Sequence, residues 1–269
     1  MALADVERVI YDKNPLIEVV CQLRFPRILS INETAPAQYQ EMIRGDFPLY
    51  DVAIEQQQQF SLDSLNASLL PIPIMSQSES IKNYRFSSAD GKWHINLTST
   101  FLAITTSDYT RWEDFRGKLE KPLNALLEIY KPAFYERIGL RYVDAFRRTA
   151  LGLNGVDWSE LINPMALGFL SYEPTKQDVK SYNSITELDI GNGALAQVKS
   201  ILGLIGSIEN GFPQNDAELS FIVDSDMFFM RKNIDELDSS LDYLHRTSTK
   251  LIRSLITEKL HHAMEPKAI

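Results

Sequence analysis

Two arginines, Arg137 and Arg141, have the types and spacing in this chain best suited to chemistry. They fall in the run 134–143 (Phe-Tyr-Glu-Arg-Ile-Gly-Leu-Arg-Tyr-Val), which reads as one strand. Strand alternation puts Phe134, Ile138, Leu140 and Tyr142 on one side, and Tyr135, Arg137, Gly139 and Arg141 on the other. The two arginines stand about 13 Å apart along the strand. Gly139 has no side chain, so two long guanidinium arms can converge above it, with the Tyr135 hydroxyl adding a donor to an anion-binding notch. The structural alternative is that each arginine pairs with an acid on a neighbouring strand, for which Asp224 and Asp226 are the candidates. Pairing is the favoured reading in a chain with 36 acidic residues against 27 Lys and Arg.

Other constellations carry less. Asp224 and Asp226 share one strand face and would suit a hard divalent cation, but arginines neutralise such a pair as readily as a metal does. Asp189, followed across a hairpin by Gln197 and Lys199, has the skeleton by which metal-dependent nucleases hold Mg²⁺ and activate water, with glutamine where the second acid usually stands. That pattern is short and common by chance. The four histidines (His94, His245, His261, His262) and the single cysteine show no zinc-ligand spacing. His94 reads as a half-buried strand residue and Cys21 as an inert core thiol. Phosphate-loop, dinucleotide and nucleophile-elbow patterns do not occur. No metal, cofactor or catalytic residue is therefore expected.

The elements that must position these residues follow from periodicity and punctuation. Strands are expected at 16–25 and 51–60, the second carrying an exposed glutamine run at 56–59. A short helix at 36–44 lies between them, and 61–79 reads as loop. Asp90-Gly91 turns a hairpin whose second arm, 92–106, reads as one long strand. A helix at 112–130 places Phe115, Leu119, Leu123 and Leu126 on one stripe, and Pro122 predicts a kink or a split within it. One short helix is expected at 157–167. A second hairpin, 182–190 and 194–205, turns on Asn192-Gly193, and a strand at 218–229 completes a meander. A closing helix at 233–264 carries Leu237, Leu241, Leu244, Leu251 and Leu255 on one face. That stripe fades after Ile256, so the last turns are expected to leave the core.

These elements give an α+β fold, with curved antiparallel sheets packed on long amphipathic helices. Each half finishes a run of strands with a long helix, which suggests two similar helix-covered sheet modules without residue-level repetition. The corresponding division is an N-terminal α+β module (1–148), a connecting segment (149–180) and a C-terminal meander with its helix (181–269), an arrangement also compatible with one continuous domain.

Composition bounds the function. The chain has 269 residues, is 44% hydrophobic and carries a formal net charge of -9, which argues against broad contact with nucleic-acid phosphates. Asp5, Glu7 and Arg8 interrupt any N-terminal apolar run, and no stretch reaches the roughly 18 apolar residues of a membrane span. Together with the lone cysteine, this suits a cytoplasmic protein. The motif Tyr-Glu-Arg-Ile-Gly-Leu-Arg-Tyr at 135–142, the acidic strand at 221–226 and the closing helix resemble a sporadically distributed, uncharacterised prokaryotic family of similar length. The resemblance implies a shared whole-chain architecture and an association with accessory roles, and it transfers no catalytic residue.

Three function classes remain. First is a non-enzymatic protein that docks a protein partner, with a second copy of the chain as one such partner. Second is a protein binding a small anionic or apolar ligand, in the notch formed by Tyr135, Arg137, Arg141, Asp224 and Asp226 or in a sheet-and-helix cavity lined by Trp93, Phe101, Phe134 and Tyr142. Third is a metal-dependent hydrolase or nuclease.

Overall fold

In the computed structural model, which describes residues 3–56, 80–206, 208–209, 212–213 and 216–268, alternating apolar side chains turn nine strands into one open sheet. In chain order the elements are β1 (Val9–Tyr11), β2 (Leu16–Arg24), α1 (Leu29–Glu33), α2 (Ala37–Ile43), β3 (Leu49–Gln56), β4 (Ser80–Ser87), β5 (Trp93–Leu97), β6 (Phe101–Thr106), α3 (Trp112–Ile129) and β7 (Tyr135–Phe146). There follow α4 (Pro164–Leu167), β8 (Tyr182–Gly191), β9 (Ala194–Ile205), β10 (Ile208–Glu209), β11 (Phe212–Pro213), β12 (Glu218–Lys232), α5 (Leu237–Leu255), α6 (Glu258–Ala263) and β13 (Pro266–Ala268). The sheet order is β3-β4-β5-β6-β2-β7-β12-β9-β8, antiparallel throughout. The α+β reading is thus the observed fold, and the sheet does not close into a barrel.

Register sets which face is dry. Cys21 of β2, Leu140 of β7, Met227 of β12 and Ala196 of β9 lie side by side across the sheet. All four are buried, as are their same-face neighbours Leu23, Ile138, Phe229 and Ala194. Burial pushes the Cys21 thiol up to about 12, which makes it inert. The amphipathic faces of α3 (Phe115, Leu119, Leu126) and α5 (Leu241, Leu244, Leu251) belong to the same core, with α5 lying on β7 and β12. Each such side chain contributes roughly 1.5–3 kcal/mol relative to exposure. Strands from before residue 148 and after residue 181 share this sheet, since β7 pairs with β2 on one side and β12 on the other.

Several elements depart from expectation for local reasons. The long arm at 92–106 is two strands: Thr98 Oγ1 accepts hydrogen bonds from the amides of Thr100 (3.2 Å) and Phe101 (3.1 Å), and this folds β6 back onto β5. Helix α3 runs through Pro122 without a break. The closing helix does break. Ile256 is extended, and Thr257 caps α6 by accepting from the Leu260 amide (3.4 Å). The break re-phases the chain, so Leu260 and Met264 return to the core instead of leaving it. In place of one helix at 157–167 there are a 3₁₀ turn (Trp158–Glu160), α4 with Pro164 at its start, and a second 3₁₀ turn (Gly168–Ser171). Strand β3 is described to Gln56, and residues 57–79, with the rest of the glutamine run, lie outside the described residues. Among the described residues no helix is long and apolar enough to cross a membrane.

The connecting segment holds that helix break in place. Asn163 Nδ2 donates to the carbonyls of Ser254 (2.7 Å) and Ile256 (3.2 Å), its amide donates to Leu255 (2.8 Å), and Thr257 N–H donates to Leu161 (2.9 Å). These bonds satisfy carbonyls that α5 leaves open at its C-terminus. Asn163→Ala is expected to lower unfolding stability by about 1–2 kcal/mol in urea titration; an unchanged midpoint would show that the clamp is dispensable.

Candidate functional site

The arginine face of β7 is a lattice of paired charges. Arg137 Nη2 donates to both carboxylate oxygens of Asp226 (2.6 and 2.7 Å), Nη1 donates to Gln22 (3.3 Å), and the head lies over the Phe228 ring, 4.5 Å from its centroid. Asp226 stands opposite Arg141 in the register, so Arg137 reaches it by lying along the strand across Gly139. A Cβ on Gly139 would sit 2.6 Å from Arg137 Cζ. Arg141 grips Asp224 with two donors (2.6 and 3.0 Å) and reaches Glu18 at 3.5 Å, while Lys199 approaches Asp224 at 3.6 Å. Both forks are engaged by carboxylates of this chain, and Arg137 fills the notch over Gly139 itself.

Tyr135 is not part of that face. It is fully buried in the core among Cys21, Arg116 and Asp238, because the regular alternation holds only from Arg137 onward. Opposite this irregular start, Arg231 of β12 has φ +49. Asp189 clamps its own hairpin by accepting from Gly191 N–H (2.9 Å) and stands opposite Leu195; Gln197 stands opposite Glu187 and Lys199 opposite Ile185. The nuclease-like trio is thus not assembled. Among the described residues no group of three or more His, Cys, Asp or Glu side chains is placed to hold a metal. His94 is exposed and bonds Ser87 (2.9 Å) instead of being half-buried.

Sequence reasoning stopped β7 at Val143 and so missed the residue after it. The strand continues to Phe146, and its core-facing parity places Tyr142, Asp144 and Phe146 in a row. Asp144 is 5% exposed, yet its carboxylate takes part in no hydrogen bond or ion pair with a described residue. Burial alone pushes it up to about 7. It lines a cavity of about 110 Å³ between β7 and α5, with Tyr142, Ser225, His245 and Ser248 as further walls. Of the four aromatic residues expected to line a cavity, Tyr142 lines this one and Trp93, Phe101 and Phe134 do not. Trp93 packs on Phe115 (5.7 Å), and Phe134 lies under Arg231 (5.3 Å).

The chain's own termini roof the cavity. The segment before β2 is tied to α3 by Arg8 and Glu113 (2.7 Å), to α5 by Asp5 and Lys250 (2.5 Å), and to the C-terminal end by β1–β13 pairing. Asn14 adds a bond to the Tyr109 carbonyl (2.8 Å). The side wall is His245, stacked on Trp112 (4.5 Å, 8°), with Nδ1 3.0 Å from the Tyr142 hydroxyl. Burial, with help from the Arg8 charge, pushes its imidazole down to about 4. The core side of the cavity therefore presents an imidazole that stays neutral at neutral pH, phenols that stay protonated, and the Asp144 carboxyl, whose titration is moved up toward neutrality.

Fold and site together define an α+β protein with one open antiparallel sheet and an acid-bearing cavity under its covering helix. In comparison with known proteins, no family model and no curated protein matches the chain.

Two measurements test these assignments. Gly139→Ala would displace the Arg137 head from Asp226 and is expected to cost about 1–2 kcal/mol in chemical unfolding; no loss would mean that Arg137 swings aside freely. The second concerns pH. Folded Asp144 keeps its proton up to about 7 against an ordinary value of 3.8, so the stability it adds at low pH is lost as pH rises through 7. His245 runs the other way: the folded form stays neutral down to about 4 against an ordinary 6.5, so its contribution is lost as pH falls. Between pH 5 and 7, Asp144→Asn should gain about 2–3 kcal/mol relative to the parent as pH rises, and His245→Gln should lose about 2. Parallel stability curves for parent and variants would overturn both assignments.

Proposed function

We propose that this chain is a non-enzymatic binding protein that takes a small, mostly apolar molecule into the cavity between β7 and α5. The observation that supports this is Asp144, a buried carboxyl with no hydrogen-bond or ion-pair partner among the described residues, at a strand position where the pattern calls for an apolar side chain. Leaving such a group without a partner costs on the order of several kcal/mol, and a bound molecule that pairs with it removes the cost. A docking role on the surface, which the sequence alone favours, gives no reason for a buried acid, and this puts the cavity first. An engineered apolar cavity of about 150 Å³ takes benzene, so the present space suits a body of about four to seven non-hydrogen atoms. A cytoplasmic setting is supported by the single free thiol of Cys21.

The test uses 3,3-dimethylbutan-1-ol, a compact apolar alcohol, titrated into the protein while the Tyr142 and His245 resonances are followed. Saturable shifts are expected for the parent. Ser248→Phe, which places a ring in the cavity, should abolish them without changing the circular dichroism spectrum. Absence of saturable shifts in the parent, or binding undiminished by the filled cavity, would sink the proposal.

A further inference from the structure

Resting on that reading, we infer that the cavity is built for an alkylated ammonium head, held as a cation against the Asp144 carboxylate within walls of Tyr11, Tyr109 and Tyr142. Three tyrosines and a carboxylate around one small space form the environment in which a cation is stabilised by ring faces and by an opposite charge together. Tyr109 and Tyr142, both lining the space, meet edge to face at right angles with centroids 5.9 Å apart. The hydroxyls of Tyr11 and Tyr142 are engaged with His261 (2.8 Å) and His245 (3.0 Å). What these residues offer a ligand is therefore mainly ring surface.

Charge sign excludes an anion. Asp144 and Glu7 both line the space, and the cation on its rim, Arg253, is held by Glu258. The degree of alkylation follows from hydrogen-bond arithmetic. A primary ammonium brings three N–H donors that each need an acceptor, whereas a fully alkylated head brings none and is held by ring faces and charge alone. The volume of about 110 Å³ suits a trimethylammonium group.

Binding a cation requires Asp144 to be ionised, so capture is coupled to proton release. The titratable or charged groups facing the space are Glu7 from the N-terminal segment, Tyr11 of β1, Tyr109 before α3, Tyr142 and Asp144 of β7, and His245 and Arg253 of α5. Burial raises all three tyrosines, with Tyr11 at about 12, and lowers His245 to about 4. Asp144 is thus the cavity-wall group in the core that changes charge near neutrality.

The experiment compares choline with 3,3-dimethylbutan-1-ol, its uncharged carbon isostere, by calorimetry on the full chain. At pH 7.5 choline should bind at least about tenfold more tightly than the alcohol, and its affinity should fall by about tenfold per unit as pH drops below 7. Asp144→Asn should lose the preference for choline and keep the alcohol. Equal affinities in the parent, or a preference that survives in Asp144→Asn, would overturn the ammonium assignment and leave the cavity reading standing. Binding of neither probe would overturn the cavity reading and the ammonium assignment with it.

Discussion

An open antiparallel sheet has two faces, and in this chain the whole structure turns on which of them α3 and α5 keep dry. Strand β7 lies at the centre of that constraint, hydrogen-bonded to β2 on one side and β12 on the other. On its covered face Ile138, Leu140 and Tyr142 pack under α5. On the opposite face Arg137 and Arg141 are matched by Asp226 and Asp224 from the next strand. Cross-strand pairing of this kind is modest in exposed settings. Here Asp224 is buried beneath Arg141 and Lys199, so loss of either cation would strand a carboxylate away from water. The lattice is better understood as what allows this sheet face to carry charge at close quarters.

Much of this was legible in the residues because strand alternation and turn chemistry are local. Asn192 and Gly193 both take positive φ, as the tight hairpin between β8 and β9 demands. Pairing of Arg137 and Arg141 with acids such as Asp224 and Asp226 was the favoured of two readings on spacing and charge, and which aspartate meets which arginine was not legible. Features set by side chain-to-backbone bonds were not legible. Thr98 looked like one more residue in an alternating run, yet its hydroxyl reverses the chain. Ile256 and Thr257 continued a helical pattern, yet Thr257 starts a new helix because the segment around Leu161 and Asn163 supplies partners from nearly a hundred residues away. Tyr135 was assigned to the arginine face by parity. Parity holds only within a regular strand, and the first residues of β7 lie outside it.

Asp144 shows a different limit. Its position was readable, since extending the alternation by one residue puts an acid on the apolar face. Its meaning was not, because an acid at a strand end ordinarily reaches water. It fails to do so here because residues far away in sequence close over it: the N-terminal segment, α5 and the pairing of β1 with β13. Besides backbone pairing, the Tyr11–His261 bond and packing of Tyr11 on the core, that roof is held by exposed ion pairs, among them Arg8 with Glu113 and Lys13 with Glu265. Each is weak alone and screened by salt. The cavity thus lies between the sheet and α5 on one side and, on the other, the N-terminal segment with its β1–β13 pairing.

That arrangement bears on how a cation would be held. The wall formed by Tyr142, Asp144 and His245 belongs to the sheet and α5, whereas the segment before β2 lies outside the nine-stranded sheet. A cation beside Asp144 would be paired with its carboxylate in a medium of low polarity. In such a medium attraction between opposite charges is far stronger than in water, so long as both are desolvated together. The pH sensitivity expected of the empty protein and the charge selectivity proposed for the cavity therefore share one origin, a single acid placed on the dry face of β7.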